Sequence, residues 1–358
     1  MWVFQRNRHF KTYVSTRNSG LEQEFLRYTM DEKRILITGG SGFIGTNLVT
    51  HFLALGWQVL NFDIAEPQNL QDSYCWKRAD LLDRESVFNE VRTFQPTILL
   101  HFGARTDLDE QINIQGYATN FKGSENIVDA VRATNSIKRV IFASSQLVCK
   151  LGYIPKHEED YLPTTLYGES KVRMEEIIRS SNLNVPWIIV RPTSIWGPWF
   201  DIPYKTFFMT IAKNYYIHPG KTETRKQWGF VGNAVYQIEK LIDAPVDQVN
   251  KKTFYLADYE PTPLREFANK VQLAMGAKKI PTLPAVVLQS AGRLGDGMQK
   301  IGWKNPPLTS FRFHNIVTDE IQDLEPLRKV IGPLPYTLDR GVAITAEWLK
   351  SKSGSNLQ

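Results

Sequence analysis

The feature that most constrains the fold is an alternation of short β-branched runs with helical patterns between Arg34 and about Pro192. Strands that alternate with amphipathic helices form βαβ units, and such units build a parallel sheet covered by helices on both faces. Several runs are apolar on both sides, as strands of such a sheet are. We therefore predict an α/β fold, a doubly wound parallel sheet, with strands at residues 34–38, 58–63, 96–102, 139–145 and 187–192 and a shorter one ending at Asp80.

A glycine-rich turn, TGGSGFIG, follows the first predicted strand directly and opens a helix. Its glycines have the spacing that permits a tight turn, close approach of the backbone to a pyrophosphate, and close packing of the helix on the sheet. The positive N-terminal end of that helix would bind the pyrophosphate. The predicted cofactor contacts in this segment are Gly39, Gly42, Phe43, Ile44 and Gly45.

An acid follows at the end of the second predicted strand. Asp63 stands 24 residues after Gly39, where its carboxylate can accept hydrogen bonds from both hydroxyls of an adenosine ribose. The same carboxylate would repel a 2′-phosphate. The sequence therefore predicts NAD as the cofactor in preference to NADP.

The domain organisation follows from the point where the alternation of strand and helix patterns ends. Beyond Trp196 the sequence becomes rich in aromatic residues and proline, which predicts a second, smaller lobe. We assign residues 33–195 to an NAD-binding Rossmann domain and residues 196–350 mainly to an interleaved substrate-binding lobe, with a strand near 253–257 returning to the sheet. Residues 1–32 are predicted to be a disordered extension and residues 351–358 a tail.

Composition excludes several classes of protein. The chain is 42% hydrophobic and 22% charged with a net charge of +6, which is typical of a globular protein. It has neither a long Lys/Arg run nor an apolar run approaching the roughly 18 residues of a membrane span, so we predict no nucleic-acid partner and no membrane partner. Two cysteines, Cys75 and Cys149, form no disulfide framework or metal motif. We expect a cytoplasmic protein without a metal site.

Three side chains suggest the chemistry. Ser144 and Ser145 end a predicted strand, and Tyr167 and Lys171 follow with the spacing that places both on one face of a helix. A nearby ammonium and the positive nicotinamide favour tyrosinate, so the pKa of Tyr167 should fall toward neutrality. Tyr167 would take the proton of a substrate hydroxyl while NAD accepts hydride from the same carbon. Ser145 would hydrogen-bond the substrate oxygen, and Lys171 would also hold the nicotinamide ribose.

With these residues placed, the chain resembles the extended short-chain dehydrogenases/reductases, specifically the NAD-dependent epimerase/dehydratase family, over about residues 34–349. The resemblance rests on the turn, Asp63, the Ser, Tyr and Lys residues, and further short motifs. By that resemblance Asp80 and Leu81 contact adenine, while Pro192 and Thr193 close over the cofactor. The remaining cofactor contacts that we predict are Phe102, Gly103, Ala104, Asn120, Ser144, Tyr167 and Lys171.

The resemblance also implies that the second lobe binds the nucleotide diphosphate of a sugar. Lys221, Arg225 and Lys226 are candidates for phosphate contacts. The other predicted substrate contacts are Thr106, Ser145, Gln146 and Ser194. Gln146-Leu147 stands where the family's dehydratases carry Asp-Glu, which disfavours dehydration, and Ser194 replaces an Asn that usually helps to hold the diphosphate.

These observations favour an NAD-dependent nucleotide-sugar epimerase that acts through a transient keto-sugar by reversible hydride transfer. The alternative is an NAD-dependent dehydrogenase or reductase of a sugar, a sterol or another secondary alcohol. A non-catalytic, NAD-sensing binding protein is disfavoured, since Ser145, Tyr167 and Lys171 are all present. The resemblance further implies a homodimer, while the sugar, the nucleotide and the carbon attacked are not named by the sequence.

Overall fold

The computed structural model describes residues 33–220, 223–303, 306 and 308–354. The predicted extension at 1–32, Lys221 and the end of the predicted tail lie outside the described residues. The strands are β1 (Arg34–Thr38), β2 (Gln58–Asp63), β3 (Trp76–Arg78), β4 (Ile98–His101), β5 (Arg139–Ala143), β6 (Trp187–Pro192), β7 (Ser194–Trp196), β8 (His218–Pro219), β9 (Arg225–Lys226), β10 (Trp228–Phe230), β11 (Lys252–Leu256), β12 (Thr262–Pro263) and β13 (Thr282–Leu283).

The α-helices are α1 (Phe43–Ala54), α2 (Arg84–Phe94), α3 (Ala118–Arg132), α4 (Leu166–Ser180), α5 (Tyr204–Ala212), α6 (Val231–Asp243), α7 (Val246–Val249), α8 (Leu264–Met275), α9 (Ala285–Lys300), α10 (Ser310–Val317), α11 (Glu325–Ile331) and α12 (Leu338–Gly354). Short 3₁₀ helices cover Leu70–Cys75, Ile114–Tyr117 and Gln146–Val148. Every helix in the described ranges is too short or too polar to cross a bilayer.

Within the described residues, seven parallel strands form the central sheet in the order β11-β6-β5-β4-β1-β2-β3. This arrangement confirms the predicted doubly wound sheet, and the strands of the first 192 residues begin and end within two residues of the predicted positions. The chain order reverses at β1, which lies between β2 and β4. Ligands of such sheets bind outside the carboxyl ends of the strands at this reversal.

Two hydrophobic clusters cover the two faces of the sheet. Side chains alternate along a strand, so Ile35 and Ile37 of β1 join one cluster, while Leu36 joins the other. The first cluster continues into α1, α6 and the second lobe, and the second packs under α2, α3 and α4. The loops at the carboxyl ends of the strands therefore rest on a core buried from both sides.

The second lobe is organised around a buried indole. Trp196 is fully buried, and its ring lies 5.1 to 5.7 Å from the rings of Phe208, Phe230 and Phe267. The chain then returns to the sheet through β11, which pairs with β6. The two parts of the molecule consequently share one continuous apolar core, and the division at residue 195 stays a prediction.

Candidate active site

A cleft of about 720 Å³ opens at the carboxyl ends of the strands, over the reversal point of the sheet. Its walls come from the glycine turn, the loops after β2, β4, β5 and β6, and the first turn of α4. Most of the residues predicted from the sequence line this cleft: Gly39, Gly42, Phe43, Ile44, Gly45, Asp63, Asp80, Leu81, Phe102, Gly103, Ala104, Thr106, Ser144, Ser145, Gln146, Tyr167, Lys171, Pro192 and Thr193.

The glycine turn has the shape of a phosphate cradle. Gly39 has a φ of +71°, and a Cβ on it would come within 2.6 Å of the backbone N of Gly103. A Cβ on Gly45 would collide with the carbonyl O of Gly39. No side chain caps α1 at its N-cap residue, Gly42. The first N–H groups of the helix are therefore left for a ligand, and the residues present fit the pyrophosphate of NAD.

Asp63 is held at the wall of the cleft by two backbone groups. Its Oδ2 accepts the N–H of Ser41 at 2.9 Å, and its Oδ1 accepts the N–H of Ala65 at 2.9 Å. A carboxylate has about four acceptor positions, so this arrangement fixes the group and leaves capacity for two ribose hydroxyls.

The segment around Ser145 is pinned to the start of α4. Ser145 caps the 3₁₀ helix Gln146–Val148 by accepting the N–H of Leu147 at 3.1 Å. Thr165 caps α4 by accepting the N–H of Gly168 at 3.0 Å. A Cβ on Gly168 would collide with the carbonyl O of Leu147, so the two segments touch through backbone. This contact places Tyr167, in the first turn of α4, close enough to Ser145 for the serine side chain to influence the pKa of the phenol.

The pKa values of Tyr167 and Lys171 differ from the sequence-based prediction. Burial raises the pKa of Tyr167 to about 12, although the hydrogen bond with Ser145 opposes this rise. Burial also lowers the pKa of Lys171 to about 8, with Glu175 opposing. The Lys171 Nζ donates to the carbonyl of Ala143 at 2.8 Å. The expected fall of the tyrosine pKa toward neutrality is therefore not found in the protein alone, where burial of the phenol has the largest effect.

A buried histidine near Lys171 is neutral. His101, at the end of β4, is bonded through its two ring nitrogens to the hydroxyls of Thr38 and Ser124, each at 2.8 Å. Burial, and secondarily the charge of Lys171, lowers the pKa of His101 to about 3. The ring is therefore uncharged at neutral pH and does not compete with Lys171 for a negative partner.

Asn120 does not line the cleft. Its Nδ2 donates to the hydroxyl of Ser170 at 2.8 Å and to the carbonyl of Arg105 at 3.0 Å, and its Oδ1 accepts the N–H of Arg105 at 2.8 Å. The side chain ties the loop after β4 to α4. The structure thus places Asn120 behind the cleft wall with its whole amide engaged by protein, and its direct contact with the cofactor stays a prediction.

The candidate phosphate contacts are also placed away from the cleft wall. Arg225 is exposed on β9. Lys226 is buried, and its Nζ donates to the carbonyl of Asn315 at 2.7 Å and pairs with Glu320 at 3.4 Å. Burial lowers the pKa of Lys226, while Glu320 opposes this shift. Neither residue lines the cleft, and the ammonium of Lys226 is already paired with Glu320.

Glu320 is a residue that the sequence did not indicate. Its Oε1 accepts from the Nε2 of Gln146 at 2.6 Å and from the Oγ of Ser194 at 2.8 Å, and its Oε2 faces Lys226. The carboxylate and its three partners are all buried. A carboxylate only accepts, so it fixes the amide of Gln146 with Nε2 toward Glu320. No motif surrounds Glu320, and only the fold brings it beside residues more than 90 positions away.

Other cleft residues were also not among the predicted contacts. Arg105 lines the cleft and pairs with Asp107 at 2.8 Å. The wall formed by the second lobe is largely apolar and aromatic, and comprises Trp199, Phe200, Ile202 and Tyr204 together with one acid, Asp201. Tyr236 and Lys240 on α6 repeat the Tyr-x-x-x-Lys spacing but do not line the cleft, and the Lys240 ammonium lies 5.1 Å from the centre of the Tyr236 ring.

Comparison with known proteins assigns the family. A model of the NAD-dependent epimerase/dehydratase family matches residues 35–257. The chain belongs to this family. It is similar to a 3-beta-hydroxysteroid dehydrogenase of Mycolicibacterium neoaurum, with 26% identity over 270 residues, covering 71% of this chain and 73% of the relative.

Two further proteins match nearly the whole chain, one by sequence and one by structure. An N-acetyl-alpha-D-glucosaminyl-diphospho-ditrans,octacis-undecaprenol 4-epimerase of Escherichia coli O157:H7 is 25% identical over 326 residues, covering 88% of this chain and 94% of the relative. The structure of a UDP-glucuronic acid 4-epimerase from Bacillus cereus in complex with NAD superposes with a TM-score of 0.68 at 15% identity, covering 89% of this chain and 99% of that one. The protein is an NAD-dependent enzyme of the epimerase/dehydratase family.

Proposed function

We propose that this enzyme is a nucleotide-sugar epimerase, which oxidises one secondary alcohol of the sugar to a ketone and reduces it again from the opposite face. The observation that carries the proposal is that Ser145, Tyr167 and Lys171 line one cleft together with the glycine turn, with Tyr167 and Lys171 four residues apart on α4. These groups can handle the proton of an alcohol at the place where the cofactor fits.

The proposed mechanism assigns one task to each side chain. NAD, when bound, supplies the hydride acceptor and a positive ring that favours tyrosinate. Ser145 donates to the substrate oxygen and orients it toward Tyr167. Tyr167 takes the hydroxyl proton during oxidation and returns it during reduction. Lys171, held by the carbonyl of Ala143, keeps a positive charge close to the developing tyrosinate.

The polar wall of the cleft supports a substrate with several hydroxyls. Gln146 Oε1 and Ser144 Oγ are buried and have no hydrogen-bond partner among the described residues, and both side chains line the cleft. Buried polar atoms of this kind are satisfied by a ligand or by water. Glu320 holds the amide of Gln146 with its acceptor oxygen free, so a sugar hydroxyl can donate to it.

A second candidate is a dehydrogenase or reductase of a less polar secondary alcohol. Two observations favour it: Lys226 is neutralised by Glu320, and the wall from the second lobe is largely apolar. The name of the Mycolicibacterium relative, a 3-beta-hydroxysteroid dehydrogenase, is consistent with such a substrate. In this reaction the cofactor would leave the enzyme reduced or oxidised, whereas an epimerase recycles it.

One experiment separates the two candidates. Purified protein, with and without added NAD, is incubated with UDP-, GDP- and dTDP-sugars, with N-acetylglucosaminyl-diphospho-undecaprenol and with a 3β-hydroxysteroid. Products are identified by chromatography and net NADH by absorbance. A new sugar isomer without net NADH supports the epimerase, and net NADH with a keto product supports the dehydrogenase. No conversion of any sugar by a protein that binds NAD would count against the epimerase.

The sequence-based expectations of a homodimer and of a cytoplasmic location remain part of the proposal. Light scattering of the purified protein tests for the homodimer, since a monomer and a dimer of a 41.1 kDa chain differ twofold in mass.

A further inference from the structure

Helix α9 presents its apolar side chains to solvent. Its only buried residues are Gly292 and Gly295, which lie against the backbone of residues 308–310. At 100° per residue, the side chains of Val287, Leu294 and Met298 fall on one side of the helix, away from this contact. Leu294 is 67% exposed. An apolar stripe of this kind, on a helix that is packed through two glycines, needs a partner outside the described protein.

The apolar stripe continues beyond the helix. Ile301, which follows α9, is 85% exposed and falls on the same side as the stripe, and Trp303 is half exposed. On α10, which packs on α9, Phe311 is also exposed. Large apolar side chains thus cluster at one end of the second lobe.

The segment around α9 is rich in basic residues and poor in acidic ones. Residues 278–317 contain six Lys or Arg residues and one acid, Asp296, which makes a net charge of +5 out of +6 for the whole chain. On α9 itself, the exposed Arg293 and Lys300 lie on the polar side of the helix, beside the apolar stripe. The surface therefore combines exposed apolar groups with basic groups over one short length of chain.

We propose that α9, together with Ile301 and Trp303, docks on the surface of a membrane that contains anionic lipid. Amphipathic helices with Lys and Arg beside an apolar face lie in the plane of the bilayer interface, and Trp is favoured at that depth. Anionic headgroups attract basic segments. This departs from the sequence-based prediction of no membrane partner, which rested on the lack of a spanning run, whereas a surface helix needs only one apolar face.

The charge argues against the other occupants of this surface. In a twofold contact between copies, each partner would present the same segment with a net charge of +5, and like charges across an interface oppose association. Nucleic acid would match the charge, but phosphate contacts make no use of a stripe of Leu, Met and Ile. An anionic bilayer satisfies both the charge and the apolar groups.

The proposal is tested with the full-length protein and sucrose-loaded vesicles, made either of phosphatidylcholine alone or of phosphatidylcholine mixed with phosphatidylglycerol. The expected result is sedimentation with the phosphatidylglycerol vesicles that weakens with added salt. The double substitution Leu294→Glu with Met298→Glu should reduce vesicle affinity roughly tenfold or more, because it removes two apolar groups and adds two negative charges. Leu273→Glu on α8, where Leu273 is 73% exposed, is the matched control and should bind as the wild type does.

The results distinguish a membrane from a second copy of the protein as the partner of this surface. NAD binding is measured for every variant to verify folding, which the exposed positions should leave intact. Lack of wild-type sedimentation with the anionic vesicles would overturn the proposal, and so would equal binding by the double variant. Self-association that the double variant abolishes, without vesicle binding, would assign the surface to a second copy instead.

Discussion

Replacing Glu320 by Ala should lower the free energy of unfolding by about 3–5 kcal/mol, the range for breaking a buried ion pair. The substitution leaves the ammonium of Lys226, which is 5% exposed, without its negative partner 3.4 Å away. It also removes the shared acceptor of Gln146 and Ser194, each within 2.8 Å of the carboxylate. A free energy of unfolding of 5–15 kcal/mol is typical of folded domains, so the loss should be large enough to measure.

A double-mutant cycle separates the effect of the two charges on stability from the effect of side-chain packing. Lys226→Met should also be destabilising, because it leaves the carboxylate of Glu320 buried and unpaired. The double substitution Lys226→Met with Glu320→Leu removes both charges and should lose clearly less than the sum of the two single losses. Glu320→Gln keeps acceptor capacity while removing the charge, and is the conservative control.

The assay is urea unfolding at neutral pH, followed by tryptophan fluorescence and by NAD binding. Comparable m-values among the variants are required, since a changed slope would signal a changed unfolded state or loss of two-state behaviour. A loss below about 1 kcal/mol for Glu320→Ala, or strictly additive single losses, would refute the reasoning that these buried charges depend on each other.

Three further predictions concern the cofactor, the core and pH. Gly39→Ala should abolish NAD binding measured by calorimetry, because its Cβ would collide with Gly103. Arg191→Met should lower stability to urea by at most about 3–5 kcal/mol, since it removes the nearer guanidinium partner of the buried Glu175, at 2.7 Å, and leaves Arg179 at 3.6 Å. Below pH 6.5 His101 is protonated in the unfolded chain, whereas in the folded protein its pKa is about 3 and it stays neutral. The free energy of unfolding should therefore fall by a few kcal/mol as the pH is lowered toward 3. An unchanged pH dependence in His101→Gln would contradict this prediction.

Local patterns predicted the sheet and the cofactor half of the cleft. The turn from Gly39 to Gly45 and the acid at Asp63 each depend on backbone geometry within a few residues, and the strands that carry them are apolar on both faces. Such features are visible in a sequence because short spacings fix their geometry. The same holds for Tyr167 and Lys171, which one helical turn brings together.

Long-range contacts explain what the sequence could not predict. Lys226 is a plausible phosphate ligand until the fold brings Glu320, 94 residues later, against it. Asn120 belongs to the motif of the family, but its amide is fully used by Arg105 and Ser170. The raised pKa of Tyr167 follows from its burial, which spacing does not reveal.

The most direct test of the central claim is the turnover of Tyr167→Phe on a substrate that the wild type converts. The substitution keeps the ring, which packs 6.0 Å from the ring of Tyr117, and removes only the hydroxyl. We expect nearly unchanged NAD binding and a loss of turnover of about a hundredfold or more. Turnover at the wild-type rate would contradict the assignment of Tyr167 as the group that moves the proton.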